Sequence, residues 1–292
     1  MTMGTAESRY RQLEQSRQSF LDRARDCSEL TIPSLIPPDV HNETSDLYQP
    51  YQGMGARGIN NLASKLSLAV MPPNSPFFRF MVEPYTLRDM AADEAARTEV
   101  EQQLGEYERA VMSEIETSGD RVAVHEAIKH LIVGGNVLLQ VGADKTRVIH
   151  LDSYVVSRAP NGEVLEIVTV EHVSPNALDE TTASNISGKL EGDEKTVEIY
   201  THLERKNDFF TVYQEVKGSV VAGSKGKYKL DAMPFLPLRF SRIDGEDYGR
   251  GFVEELLGDL RSLEGLSQAI VEGAAAAAKV LFMVNPNGTT RM

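Results

Sequence analysis

RGFVEELLGDLRSLEGLSQAIVEGAAAAAK, residues 250–279, reads as one helix with no proline to interrupt it. At 1.5 Å per residue it spans roughly 40 Å, against an average helix of ~11–12 residues. Glu254 and Glu255 open it and Lys279 closes it, which suits the helix macrodipole at both ends. Its residues sort into three faces. Phe252, Val253, Leu256, Leu257, Leu260, Leu263, Leu266, Ile270 and Val271 form a wide apolar stripe. Glu254, Arg261, Gln268 and Glu272 fall on a narrow polar line. Gly251, Gly258 and Gly265 lie beside it, with Ser262 and Ala269 near them. An interior glycine costs about 1 kcal/mol relative to alanine, and the usual compensation is close approach of a second backbone. Contact faces on two sides suit a helix crowded by copies of itself. Periodicity equally allows an ordinary core helix. A bilayer span is disfavoured, because Gln268, Glu272 and Lys279 break the only apolar run long enough to cross.

The rest of the chain sets the frame for this helix. Its 292 residues can bury a sizeable core, and 41% hydrophobic with 25% charged residues is a globular composition. Cys27 is the only cysteine, which excludes a disulfide framework and a cysteine-built zinc site and fits a reducing compartment. The sequons at Asn42, Asn185 and Asn287 are then chance matches. The polar start, MTMGTAESRYRQLEQ, has no apolar core of a secretory signal. Net charge is −13, and between Asp93 and Glu116 acids far outnumber arginines. Tight binding to nucleic-acid phosphates needs clustered lysine and arginine and is disfavoured. A surface that lets DNA pass without gripping it is not.

Upstream of the long helix the period changes once. Helices are expected at residues 6–26, 54–70, from Arg88 or Asp93 to Thr117, and 121–133, with Gly119 as a C-cap. Pro33, Pro37 and Pro38 exclude regular helix between the first two, and polar loop runs on to about Tyr51. Phe77–Val82 reads as a short strand. From Asn136 the period is two, with strands expected at 137–141, 147–151, 154–157, 164–170, 196–203, 209–216 and 236–243. Pro160-Asn161-Gly162 and Lys206-Asn207-Asp208 are turns, and residues 174–193 a polar surface loop. The fold class is α+β: a helical N-terminal half, then a mostly antiparallel sheet. The final VLFMVNPNGTTRM reads as a strand and a turn with no downstream partner, as in a truncated product.

Three motifs suggest chemistry and fail on spacing. Gly53–Gly58 matches G-x-G-x-x-G, but no strand precedes it and no acid lies between Gly58 and Glu83 to hold a ribose. These glycines are expected to start a helix. His125 and His130 stand five apart, about 140° around a helix, where a shared metal needs four. Asp244–Gly249 lacks the alternating ligands and the final glutamate of a calcium loop. No Walker A and no G-x-S-x-G occurs, so no catalytic, cofactor or metal residue is assigned.

Several stretches together resemble the portal, or head-to-tail connector, proteins of short-tailed, podovirus-type bacteriophages. They are CSELTIPSLIPPD (27–39), GARGINNLASKLSLAVMPP (55–73), HLIVGGNVLL (130–139), SYVVSRAPNGEVLEIVT (153–169), DGEDYGRGFVEELLGDLRSLEGLSQAI (244–270) and KVLFMVNPNG (279–288). The resemblance implies a structural ring, usually of twelve copies, at one capsid vertex. Through it a terminase motor packages DNA that is later ejected into the tail, with no sequence-specific binding and no membrane. Residues 1–249 would be the wing, 250–279 the first stem helix, and 280–292 the start of the clip, which meets terminase and the tail adaptor. The protein would sit in the virion, and in the host cytoplasm during assembly, beside capsid and scaffold proteins. Glu254, Arg261, Gln268 and Glu272 become the expected wet or tunnel-facing edge of the stem. Gly251, Gly258 and Gly265 become its subunit-contact face. Family members are much longer, and a chain lacking the second stem helix is expected to be monomeric or to aggregate. Two other readings stay open: a free-standing oligomeric scaffold or adaptor, and a metal- or nucleotide-dependent enzyme using His125 and His130 or Gly53–Gly58.

Overall fold

A computed structural model describes residues 5–39, 41, 44–73, 75–82, 94–142, 145–175 and 196–279. Among these the helices are α1 (Ala6–Glu29), α2 (Met54–Val70), α3 (Glu94–Thr117), α4 (Asp120–Gly134) and α5 (Phe252–Ala277). The strands are β1 (Asn136–Val141), β2 (Thr146–Ile149), β3 (Tyr154–Arg158), β4 (Val164–Val173), β5 (Val197–Lys206), β6 (Phe209–Val216), β7 (Ser219–Val220), β8 (Gly226–Lys229) and β9 (Phe235–Arg239). The α+β expectation holds, with helices first, sheet second and the long helix last.

Among the described residues all strand pairs are antiparallel and make two sheets. One has the order β2-β1-β9, and the other β3-β4-β5-β6-β7. Strands β7 and β8 share the outer edge of β6, β8 along Phe209–Val212 and β7 along Glu215–Val216. Between β6 and β7 lies a two-residue turn in which Lys217 and Gly218 both have positive φ (46° and 73°), the twist that tight hairpins favour.

Helix α1 joins the layers. Thr5 caps it by accepting from the Ser8 amide at 3.2 Å, and the buried Glu215 of β6 accepts from the Ala6 amide at 2.8 Å. One side of α1 puts Ala6 and Tyr10 on Val155, Val168, Val170 and Tyr200 of the larger sheet. Leu21 and Ala24 enter the main core with Leu138, Tyr154, Ile167, Leu203 and Tyr248. Arg17, 2% exposed, sends one guanidinium nitrogen to the carbonyls of Leu151, Asp152 and Tyr154 at 2.6–3.0 Å. A buried cation is tolerable only when so satisfied, and here it fastens α1 to the 3₁₀ turn Leu151–Ser153.

Four expectations change. The strand expected at 236–243 is β9, which ends at Arg239. Residues 77–82 form no strand: Phe77, Phe78 and Phe80 stack edge to face on one another. The Phe80 amide is taken by the Glu108 carboxylate at 2.7 Å, so a side chain replaces a ladder partner. Strand β2 stops at Ile149, because residues 151–153 turn as a 3₁₀ helix. The long helix starts at Phe252, since Arg250 pairs with Ser241 in a β-bridge and Gly251 is extended (φ −79°, ψ 154°). It ends at Ala277, which leaves Lys279 beyond the cap. The expected loop 174–193 and the terminal strand after Lys279 lie almost wholly outside the described residues.

Candidate functional site: the base and open faces of the long helix

The stretch Asp244–Gly251 anchors α5 in the core. Tyr248 is 1% exposed, and its hydroxyl accepts from the Val156 amide at 3.0 Å. Asn136, at the start of β1, grips Gly249 twice: its Oδ1 accepts from the Gly249 amide at 2.7 Å, and its Nδ2 donates to the Gly249 carbonyl at 2.8 Å. Glycine is required where these backbones cross. A Cβ on Gly135 would lie 2.4 Å from the Gly251 nitrogen, and one on Gly251 2.4 Å from the Val133 carbonyl oxygen. Gly135 also has φ +75°.

Arg250 completes the base. It pairs with Glu246 at 2.8 Å and Glu254 at 2.7 Å, and lies over the Phe20 ring. The hydrogen bond from Arg250 holds the Glu246 carboxyl below the usual range. These contacts also account for the calcium-like run: Asp244 pairs with Arg242 at 2.8 Å, and Asp247 accepts from the Arg158 amide at 2.7 Å.

The first half of α5 is docked on its own chain. Val253 is buried with Ile59, Ala63, Ile128, Ile132 and Val133, and Phe252, Leu257 and Leu260 pack around them. Glu264 is the last buried residue of the helix, and its Oε1 accepts from the Tyr48 hydroxyl at 2.7 Å and the Tyr51 amide at 2.8 Å. That strap was not read from the sequence. The available signal was a carboxylate in the series Val253, Leu257, Leu260, Glu264, whose spacing keeps one face.

Beyond Glu264 no described residue of α5 is buried. Leu266, Ile270 and Val271 are 63%, 70% and 52% exposed. Among the described residues, nothing lies within 4 Å of a Cβ added to Gly258, Gly265 or Gly273.

The expected site residues therefore divide. Gly251 is closed against Val133 and Gly135 within the chain, whereas Gly258 and Gly265 meet nothing among the described residues. Glu254 pairs with Arg250 and Arg23, and Arg261 pairs with Asp26 at 2.9 Å. The upper polar line is thus a seam to α1. Gln268 and Glu272 hydrogen bond to each other at 2.9 Å on the distal half.

The other motifs have local explanations. Gly53 is the N-cap of α2, and Gly55 allows close approach to the Leu30 carbonyl, so these glycines do start a helix. His125 and His130 are separated: Nδ1 of His125 meets the Ser67 hydroxyl at 2.9 Å, while His130 is buried against His150. Burial pushes the His130 imidazole down to about 3, which keeps it neutral. Among the described residues, no helix is long and apolar enough to cross a membrane.

Comparison with known proteins gives this arrangement its relatives. Residues 3–292 match the model of the bacteriophage head to tail connecting protein family. The chain is 40% identical over 298 residues to the portal protein of Escherichia phage T7, covering 98% of this chain and 55% of that protein. It is 40% identical over 295 residues to the portal protein of Enterobacteria phage T3, with the same coverage of each. Against the portal protein of Enterobacteria phage SP6 it is 29% identical over 286 residues, 96% of this chain and 55% of the relative. The chain thus spans about half the length of the curated relatives it matches. With its whole described fold inside the matched region, the chain belongs to the bacteriophage head-to-tail connecting protein family.

Proposed function

We propose that this chain is the wing and first stem helix of a portal subunit. Copies of it would form a ring, of twelve, at one capsid vertex. Phage DNA enters and leaves through the ring's tunnel; terminase, capsid and scaffold proteins, and a tail adaptor are its partners. The role is structural, with no catalytic step, in the virion and, during assembly, in the host cytoplasm. One observation carries this beyond family likeness. A helix anchored firmly at its base leaves an open glycine edge at Gly258 and Gly265, and exposed apolar side chains at Leu266, Ile270 and Val271. Exposed apolar surface of this kind favours a protein partner, and small residues admit a close one. In the ring that partner is the neighbouring stem.

Of the polar line, Gln268 and Glu272 are the residues left for the wet or tunnel edge, since Glu254 and Arg261 are engaged by the wing. The discriminating experiment replaces Gly258 and Gly265 by leucine in the phage gene and measures packaged DNA. Empty heads with a folded protein support the reading; wild-type packaging would overturn it.

A further inference from the structure

We infer that Glu126, His130 and His150 form a binding site for a divalent transition metal, of which Zn²⁺ is the reference ion, linking α4 to the sheet layer. Glu126 and His130 stand four apart on α4, the spacing that puts two ligands on one helix face. His150 faces them from the end of β2, where the chain turns into the 3₁₀ segment. One ligand atom from each lies within 4.8 Å of the others.

His130 gives the cluster its direction. The residue is 1% exposed, and neither ring nitrogen has a hydrogen-bond partner among the described residues. Buried polar atoms are almost always paired, so an imidazole orphaned at both nitrogens calls for an explanation. Its ring lies 4.3 Å from that of His150. A bare stack of two imidazoles would leave both nitrogens unused, whereas a metal ion takes one of them directly.

The donor set suits the ion. Two imidazoles and a carboxylate favour zinc and its imidazole-binding neighbours over magnesium or calcium, which prefer oxygen. With metal–ligand bonds of about 2.0–2.1 Å, tetrahedral ligands stand roughly 3.3 Å apart. Nε2 of His150 and Oε1 of Glu126 are already at 3.3 Å. The remaining approach, from at most 4.8 Å, is a side-chain movement of no more than about 1.5 Å. Side-chain exposures of 40% for His150 and 47% for Glu126 give an ion its entry. Three protein ligands leave a fourth position for water. The bound ion would clamp α4 one turn before Val133, whose carbonyl meets Gly251 at the base of α5.

The test is calorimetric titration of the chelator-treated chain with Zn²⁺, and separately with Mg²⁺. One saturable Zn²⁺ site is expected, and no Mg²⁺ binding there. His150→Ala and Glu126→Gln alter exposed side chains and each should weaken Zn²⁺ at least tenfold. His125→Gln, next to the cluster in sequence but engaged with Ser67, should leave it unchanged. Absence of a saturable Zn²⁺ site overturns the inference. So does affinity unaltered in both His150→Ala and Glu126→Gln, or lowered equally by His125→Gln.

Discussion

Replacing Gly258 and Gly265 together by alanine should move two properties in opposite directions. Among the described residues of the isolated chain, each added methyl meets nothing within 4 Å. The substitution then acts through helix propensity, which favours alanine by about 0.5–1 kcal/mol per site. The pair should stabilise the chain by roughly 1–2 kcal/mol. At about 2–4 °C per kcal/mol for a domain of this size, the thermal midpoint rises by several degrees. In the proposed ring the same methyls would sit between neighbouring stems. Overpacking costs about 1–3 kcal/mol per site, and every subunit boundary of that ring would carry both. Association should weaken by at least about tenfold, since each 1.4 kcal/mol is tenfold in Kd. The assays are thermal unfolding of this chain, and mass photometry of rings assembled from a portal gene of full family length carrying both substitutions. A lower midpoint would mean that the open edge is not open. A higher midpoint with undiminished ring assembly would mean that the glycines serve no subunit contact.

Gly251→Ala should do the reverse in the isolated chain. Its Cβ would meet the Val133 carbonyl oxygen at 2.4 Å, so two backbones must part, and a loss of about 1–3 kcal/mol should appear in chemical denaturation. The buried Glu166 carboxyl is pushed up by burial, but hydrogen bonds from His202 at 2.7 Å and from Arg9 together outweigh this and hold it below its usual value of 4.5. A carboxyl depressed by folding gives its full stabilisation above the ordinary glutamate range and loses it as pH falls towards the lower folded value. Stability should therefore fall more steeply below about pH 4.5 in the wild type than in Glu166→Gln, as read by denaturation at a series of pH values. Burial pushes the Cys27 thiol up to about 12. Native alkylation at pH 8 should be at least about a hundredfold slower than in urea, because the thiolate is the nucleophile.

Much of this architecture was legible in the residues. The change from helical to alternating period at Asn136 marks the passage from α4 to β1, and the long helix falls within two residues of its expected bounds at each end. Both errors at those ends have local causes: a β-bridge at Arg250, and a cap at Ala278 that closes the helix before Lys279. Short strands β7 and β8 went unread because each takes its order from the edge of β6 rather than from its own pattern. Phe77–Val82 failed in the opposite way, with an apolar run that pairs with no strand among the described residues. Of the polar line, periodicity could place four residues on one edge of α5 but could not say that α1 would cover the first two. The Glu126, His130 and His150 cluster depends on a contact across 20 residues, which spacing on α4 alone could not supply.

The central claim is that the edge of α5 left open by its own chain is filled by the next copy. A cryo-electron microscopy map of the assembled ring would test it most directly. Gly258 and Gly265 should lie in van der Waals contact with a neighbouring subunit's stem, with Leu266, Ile270 and Val271 covered. If those glycines face solvent, or are covered by later parts of their own subunit, the account is contradicted.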